Sequence, residues 1–236
     1  MKIAVCISGI LKSAFNLQKR NVSVLKEKFP NADFYYATWQ GIEEEKFYNI
    51  FPEEKCVAFP EPDIHYNPYV DIQDFSSQAW KKTVNWSRGK NDVWIRNSVK
   101  QILIHAMLLN QINKTYDVII RTRFDAFALN VPIVDFNSFV VETYESKITN
   151  GFATRDMNKF DQLTKVTNDD WKHRIFDALI IHPRNAIDYE NVMNLYHNNK
   201  LRAAEFGWAQ VLSEPKYDHV NWFGWVNIDR VVSKYL

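Results

Sequence analysis

The stretch from Tyr116 to Phe127, Tyr-Asp-Val-Ile-Ile-Arg-Thr-Arg-Phe-Asp-Ala-Phe, constrains this chain more than any other. Val118, Ile119 and Ile120 form a short β-branched run without a polar face, the pattern of a strand covered on both sides. Its carboxyl end changes character abruptly. Arg121, Arg123 and Asp125 alternate, and in an extended backbone side chains spaced by two point to one side. Open α/β sheets place their ligands at the carboxyl ends of such strands. A guanidinium stays charged and donates two parallel hydrogen bonds, which suits phosphate. A carboxylate suits a divalent cation or a sugar hydroxyl. The competing reading is a structural Arg–Asp pair closing the strand end, and these residues alone leave both open.

The segments before this strand follow a regular rhythm. Residues 2–8 read as a strand ended by Ser8-Gly9. A helix is expected over 13–28, with Val22, Leu25 and Phe29 at helical spacing and Pro30 as its stop. A second strand over 33–38 runs into Trp39-Gln40-Gly41, a charged helix covers 43–50, and a third strand covers 54–59. Strand and helix in alternation signify βαβ units and a mainly parallel sheet. Residues 60–91, with Pro60, Pro62 and Pro68, break the rhythm as a long irregular excursion. Ile95, Val99, Ile102, Ala106 and Leu109 then form one apolar helical stripe that delivers the chain into the organising strand.

Beyond Asp125 the pattern weakens. Strands are expected over 136–143 and 176–182, the second with Asp177 near its start. Helices are expected over 188–198, with Tyr189, Val192, Met193 and Tyr196 on one face, and over 203–212, with Glu205 in the first turn. Residues 145–170 are polar and weakly periodic, and the tail from 216 carries His219, Trp222, Phe223 and Trp225. No internal repeat or linker divides the chain, so the expectation is one α/β domain over 1–236, a mainly parallel sheet flanked by helices.

Composition excludes several classes. The 236 residues, 46% hydrophobic and 24% charged, suit an ordinary globular core. Twenty-nine Lys plus Arg against 28 Asp plus Glu leave a net charge of +1, which gives no whole-molecule field for nucleic acid. Cys6 and Cys56 make neither a zinc pattern nor a disulfide framework, which fits a reducing compartment. No apolar run of membrane-spanning length occurs, and a cytoplasmic protein is expected.

The chemistry narrows by elimination. No Gly-x-Ser-x-Gly elbow supports a serine nucleophile. Ser8-Gly9-Ile10-Leu11-Lys12 has one glycine where a phosphate-cradling loop needs two or three. The six histidines lack metal spacing, and His105, on the apolar helix, reads as a packing residue. What survives is a set of polar residues at strand ends. Backbone amides around Ser8 and Gly9, with the Lys12 ammonium, suit a phosphate. Thr38 and Trp39 follow the second strand, and Arg121, Arg123 and Asp125 end the organising one. Adjacent carboxyl ends of a parallel sheet converge on one crevice, here expected to hold a nucleotide with two phosphates.

Three of these segments together resemble a known group. Ile3-Ala4-Val5-Cys6-Ile7-Ser8-Gly9 with Lys12, then Thr38-Trp39, then Tyr116-Asp117-x-x-Ile120-Arg121-x-Arg123-x-Asp125 is similar to a pattern of bacterial and phage glycosyltransferases of GT-A type. The likeness covers roughly residues 1–128. It implies a GT-A-like (Rossmann-like) fold and a nucleotide-diphosphate sugar as donor, with 1–128 as the nucleotide-sugar-binding half and 129–236 as the acceptor half. Asp125 stands where such enzymes keep a metal carboxylate of Asp-x-Asp, which implies Mn²⁺ or Mg²⁺. This chain carries Arg123 in place of the first aspartate, and that guanidinium offers a second way to neutralise the diphosphate. By a fainter likeness, Asp177 and Glu205 are the catalytic candidates, for acceptor binding or as general base. The alternatives are a strand-entry turn for Asp177 and a first-turn helix carboxylate for Glu205. The implied acceptor is a surface-glycan precursor. One alternative is hydroxymethylated cytosine in DNA, contacted by Trp80, Lys81, Lys82, Trp86, Arg88 and Lys90. Another is a nucleotide- or carbohydrate-binding protein without turnover.

Overall fold

Strand β1 (Ile3–Ser8) lies in the interior of the sheet because its sequence, Ile-Ala-Val-Cys-Ile-Ser, offers buried side chains to both faces. Its neighbours are β2 (Asp33–Trp39) and β4 (Val118–Thr122), both parallel to it, with Ala4 opposite Asp33 and Ile3 opposite Val118. Strand β3 (Cys56–Phe59) extends the parallel run beyond β2. The computed structural model describes residues 1–10, 15–41, 44–51, 55–64, 93–112, 114–124, 126–128, 136–154, 164–166, 175, 177–202, 204–212 and 219–228.

Side-chain alternation splits the core into two layers. Ala4, Cys6, Ala37, Trp39, Ile119 and Ile180 face one way, against α3 (Val93–Gln111), α5 (Tyr189–His197) and α6 (Ala204–Leu212). Val5, Ile7, Phe34, Tyr36, Val118, Ile120 and Ile181 face the other, against α1 (Phe15–Lys28), α2 (Glu44–Ile50) and α4 (Phe136–Ser146). The result is an α/β/α stack. The expected stripe on α3 is present in Val99, Ile102, Ala106 and Leu109, and burial extends around the helix to Leu103, Ile104 and Leu108.

The remaining strands are β5 (Ala126–Ala128), β6 (Thr149–Thr154), β7 (Thr164–Val166), β8 (Leu179–Pro183) and β9 (His219–Ile228). The order is β3-β2-β1-β4-β8-β6-β9-β5, with β7 also on β9. β8 runs antiparallel to β4 and to β6, β9 runs parallel to β6, and β5 and β7 run antiparallel to β9. Six of these nine strands therefore point one way, the mainly parallel sheet that the sequence led us to expect. Among the described residues no helix is long and apolar enough to cross a membrane.

One expectation changes. Residues 136–143 form the first part of helix α4, not a strand. Phe136, Phe139, Val140 and Thr143 are its buried positions, a spacing of three, one and three that only a helix turns to one side. The aromatic and β-branched content of this segment argued for extended structure, and tertiary burial overrode it. Strands β6 and β7 lie in the weakly periodic stretch 145–170, and β9 lies in the tail, to which no element had been assigned.

The amino edge of the sheet is pinned by polar side chains. Tyr116 donates to Asp33 Oδ2 at 2.8 Å, so the 2.7 Å contact between the Tyr35 and Tyr116 hydroxyls has Tyr35 as donor. The Lys55 ammonium lies 3.8 Å from Asp33 and 4.7 Å over the Tyr35 ring. Asp117 Oδ2 accepts from the Lys2 amide at 2.7 Å, and its carbonyl accepts from the Arg184 amide. Tyr116 and Asp117 thus tie β4 to β2, β1 and the end of β8.

On the opposite face, α6 approaches α3 at Gly207. A Cβ there would overlap the Arg202 carbonyl oxygen and Ile102 Cδ1. Gly207→Ala should therefore lower stability by about 1–3 kcal/mol although alanine is the better helix former, read as a reduced denaturation midpoint. A gain in stability would refute this close approach.

Candidate active site

From β1 to β2 to β3 the chain steps in one direction, and the crossover through α3 then lays β4 on the other side of β1. That reversal is a topological switch point, where the loops leaving two adjacent strands part and open a crevice at the carboxyl edge. Ser8 and Gly9 leave β1 there, and Thr122 and Arg123 leave β4. Because β8 is antiparallel to β4 and Leu179 lies opposite Thr122, the residues entering β8, including Asp177, reach the same edge.

Gly9 has φ +137° and Gly41, just past β2, has φ +142°. Both values are costly for residues with a Cβ, so glycine lets the chain turn off β1 and β2 at this edge. The Gly9 amide is engaged, donating to the Ala37 carbonyl at 3.1 Å. The Ser8 hydroxyl differs: it is buried and, among the described residues, has no hydrogen-bond partner. Thr38 and Trp39 are also buried, Trp39 within the layer beneath α3.

The expected alternation of Arg121, Arg123 and Asp125 is cut short, because β4 ends at Thr122 and the chain turns, with the Ala126 amide donating to the Arg123 carbonyl. Arg123 is half-buried beyond the strand end. Arg121 does not project into the crevice. It is 0% exposed, with Nη1 donating to the Asp177 carbonyl, Nη2 donating to Gln101 Oε1 at 2.9 Å, and Cζ 4.5 Å from the Trp208 ring centroid. Thr122 Oγ1 donates to the next carbonyl, that of Ala178, at 3.1 Å. Asp177 is half-buried. Glu205, in the first turn of α6, accepts at its carbonyl from the Ile175 amide at 3.0 Å, which joins its segment to that of Asp177. The fold therefore gathers Ser8, Gly9, Thr38, Trp39, Arg121, Arg123, Asp177 and Glu205 at one edge.

Lys12 and Asp125 lie outside the described residues, as do Trp80, Lys81, Lys82, Trp86, Arg88 and Lys90. Among the described residues no group of three His, Cys, Asp or Glu side chains is placed to hold a metal ion.

Spacing along the sequence did not single out three further polar groups: half-buried Gln101 on α3 and buried Thr122 at the end of β4, both bonded near the carboxyl edge, and buried His182, which lies opposite Ile119 nearer the amino edge. Gln101 and His105, four apart, interrupt the apolar surface of α3, which was the available signal. His182 Nδ1 lies 2.8 Å from the Pro183 carbonyl, so it carries the proton and Nε2 accepts. The His105 Nε2 proton then makes the 3.1 Å bond between the rings. Burial holds His105 well below its usual range, reinforced by His182, Arg121 and Arg184. Burial lowers His182 to about 4, opposed by its bond to Pro183 and aided by Arg184 and Arg121. Both imidazoles are therefore neutral in the native protein at neutral pH.

No protein-family model matches the sequence, and no curated protein matches it. Several solved structures are similar in outline. 4-Diphosphocytidyl-2C-methyl-D-erythritol synthase from Anaerococcus prevotii is 8% identical, with 94% of this chain and 87% of that one covered at a TM-score of 0.48. A CMP:2-keto-3-deoxy-manno-octonic acid synthetase complexed with CTP is 9% identical, with 100% and 97% covered at 0.47. The galactosyltransferase LgtC, solved with donor and acceptor sugar analogues, is 10% identical, with 93% and 73% covered at 0.44. At these scores and identities the likenesses assign the chain to no family and no reaction.

The histidine pair gives a pH dependence with a definite sign. Each native imidazole titrates below its unfolded value near 6.5, so the unfolded chain binds protons first as pH falls. Their contribution is complete above about pH 6.5 and declines toward about pH 4. Each imidazole should add roughly 1 kcal/mol of lost stability per pH unit in that window. His105→Gln keeps an Nε2 donor and removes one titration, so its denaturation midpoint should fall less steeply than wild type between pH 6.5 and 5. Equal slopes would refute the assignment.

Proposed function

We propose that the chain is a glycosyltransferase that moves a sugar from a nucleotide-diphosphate sugar to an acceptor hydroxyl. The observation that carries this reading is the buried Ser8 hydroxyl, without a partner among the described residues, at the switch point between β1 and β4 beside the glycine turn. A buried hydroxyl without a partner costs about 1–3 kcal/mol. A phosphate oxygen or ribose hydroxyl seated against the strand ends would offset that cost.

In this reading residues 1–128 hold the donor and 129–236 supply the acceptor side. Ser8, Gly9, Thr38 and Trp39 shape the floor under the nucleotide. Lys12 and Arg123 neutralise the diphosphate, and Arg123 offsets the charge gathering on it as it leaves. Asp125 takes a donor-sugar hydroxyl or a Mn²⁺ or Mg²⁺ ion, which when bound adds charge neutralisation at the phosphates. The described residues alone do not form a metal site, so no step here is routed through one. The acceptor oxygen bonds to the anomeric carbon while the bond from that carbon to the diphosphate oxygen breaks. The Asp177 or Glu205 carboxylate receives the acceptor proton. The acceptor class implied by the sequence resemblance is a surface-glycan precursor, glycosylated in the cytoplasm.

A thermal-shift series with nucleoside diphosphates and nucleotide sugars, with and without Mn²⁺, tests this reading. A ligand at a hundred times its dissociation constant should stabilise the protein by about 2.7 kcal/mol. Ser8→Ala should leave the unliganded midpoint unchanged or raised and weaken the best ligand about fivefold to tenfold. Absence of any shift with the wild-type protein would overturn the proposal. Unimpaired binding by Ser8→Ala would remove that hydroxyl from the site.

A further inference from the structure

We infer that Arg121 is a positioning residue, which holds the two candidate acceptor-side carboxylates in place from beneath and does not itself touch the diphosphate. The functional half of this inference rests on the transferase reading above, while the structural half stands without it.

The guanidinium is the meeting point of four segments. It projects from β4, reaches Gln101 on α3, lies against Trp208 on α6 and grips the Asp177 carbonyl at the entry to β8. The β4–β8 ladder ends at the pair Thr122 and Leu179, so Asp177 and Ala178 lie just past the last paired residue. Side chains take over there. Arg121 and Thr122 leave opposite faces of β4 and donate to two consecutive carbonyls, those of Asp177 and Ala178. The Ala178 amide donates to the Phe152 carbonyl at 3.1 Å, and the Ile175 amide donates to the Glu205 carbonyl at 3.0 Å. Release of the guanidinium would free one side of this clamp, together with the packing of α6 on the Arg121–Trp208 contact. Both carboxylates ride on these segments, and a displacement of about 1 Å at a reacting group can cost on the order of a hundredfold in rate.

A ligand role requires the opposite geometry, namely a guanidinium presented to the crevice. Arg121 has no solvent-exposed surface and spends its two terminal nitrogens on the protein. Arg123, half-buried beyond the strand end, is the arginine that the proposed function assigns to the diphosphate.

The test compares wild type, Arg121→Lys and Gln101→Met. The lysine variant keeps the charge but cannot reach both partners in the fixed fork geometry. The methionine variant loosens the clamp without changing a charge and carries the comparison if the lysine variant fails to fold. Three readouts are taken: amide hydrogen exchange across residues 175–179, affinity for the nucleoside diphosphate selected with wild type, and kcat and KM for transfer. Exchange at Ile175 and Ala178 should rise about tenfold or more. Nucleotide affinity and the donor KM should stay within about threefold, while kcat falls about tenfold or more. Unchanged exchange at 175–179 in both variants overturns the positioning role. A nucleotide affinity reduced tenfold or more, with unchanged exchange, returns Arg121 to the diphosphate. If wild type binds no nucleotide, the transferase reading fails, and the exchange comparison still decides whether Arg121 holds the segment.

Discussion

β4 exchanges backbone hydrogen bonds with a parallel neighbour on one edge and an antiparallel neighbour on the other, over the same five residues. Everything at the carboxyl edge follows from that double pairing. The parallel side brings the end of β1 next to the end of β4. The antiparallel side brings the start of β8 there as well, so a segment arriving some sixty residues later meets the same crevice. Five consecutive buried residues, Val118 to Thr122, satisfy both ladders and both apolar layers at once. Little freedom remains for the residues on either side of the strand. Tyr116 and Asp117 lock its entry, and Arg121 and Thr122 use their side chains to continue pairing where the backbone stops.

The legible part of the fold was the part built from strands covered on both faces. Ile3 to Ile7, Phe34 to Thr38 and Val118 to Ile120 are nearly uninterrupted buried runs, and parallel packing leaves such runs little alternative. Thr149 to Thr154 and His219 to Ile228 mix small, polar and aromatic residues, and they become strands by pairing with one another, the first also with β8 and the second also with β5 and β7. That information is non-local and cannot be read from either segment. Residues 136–143 show the converse: their composition favoured a strand, yet Phe136, Phe139, Val140 and Thr143 had the helical spacing that decided the outcome.

For the site, strand ends were readable and side-chain destinations were not. Ser8 and Gly9 stand at the edge where the alternation of strands and helices had placed them. Arg121 shows the limit of spacing arguments. Alternation gives the face from which a side chain leaves the sheet, but that face is covered by α3 and α6, and the guanidinium is consumed by the protein. The motif that carried the resemblance thus divides along its length. Its first two residues secure the amino edge through Asp33, Lys2 and Arg184, and its arginines belong to the other end of the same strand.

The sheet order also bears on how such a chain assembles. β1 finds its first partner in β2 about thirty residues on, but its second, β4, comes more than a hundred residues later. During synthesis, therefore, an apolar strand has one edge paired and the other bare until α3 and β4 have emerged. Contacts this distant in sequence make folding slow, and a bare edge of this kind is where other chains attach. The long buried helix α3 immediately precedes β4, so the cover for one face and the missing strand arrive together, which shortens the interval in which that edge can meet another molecule.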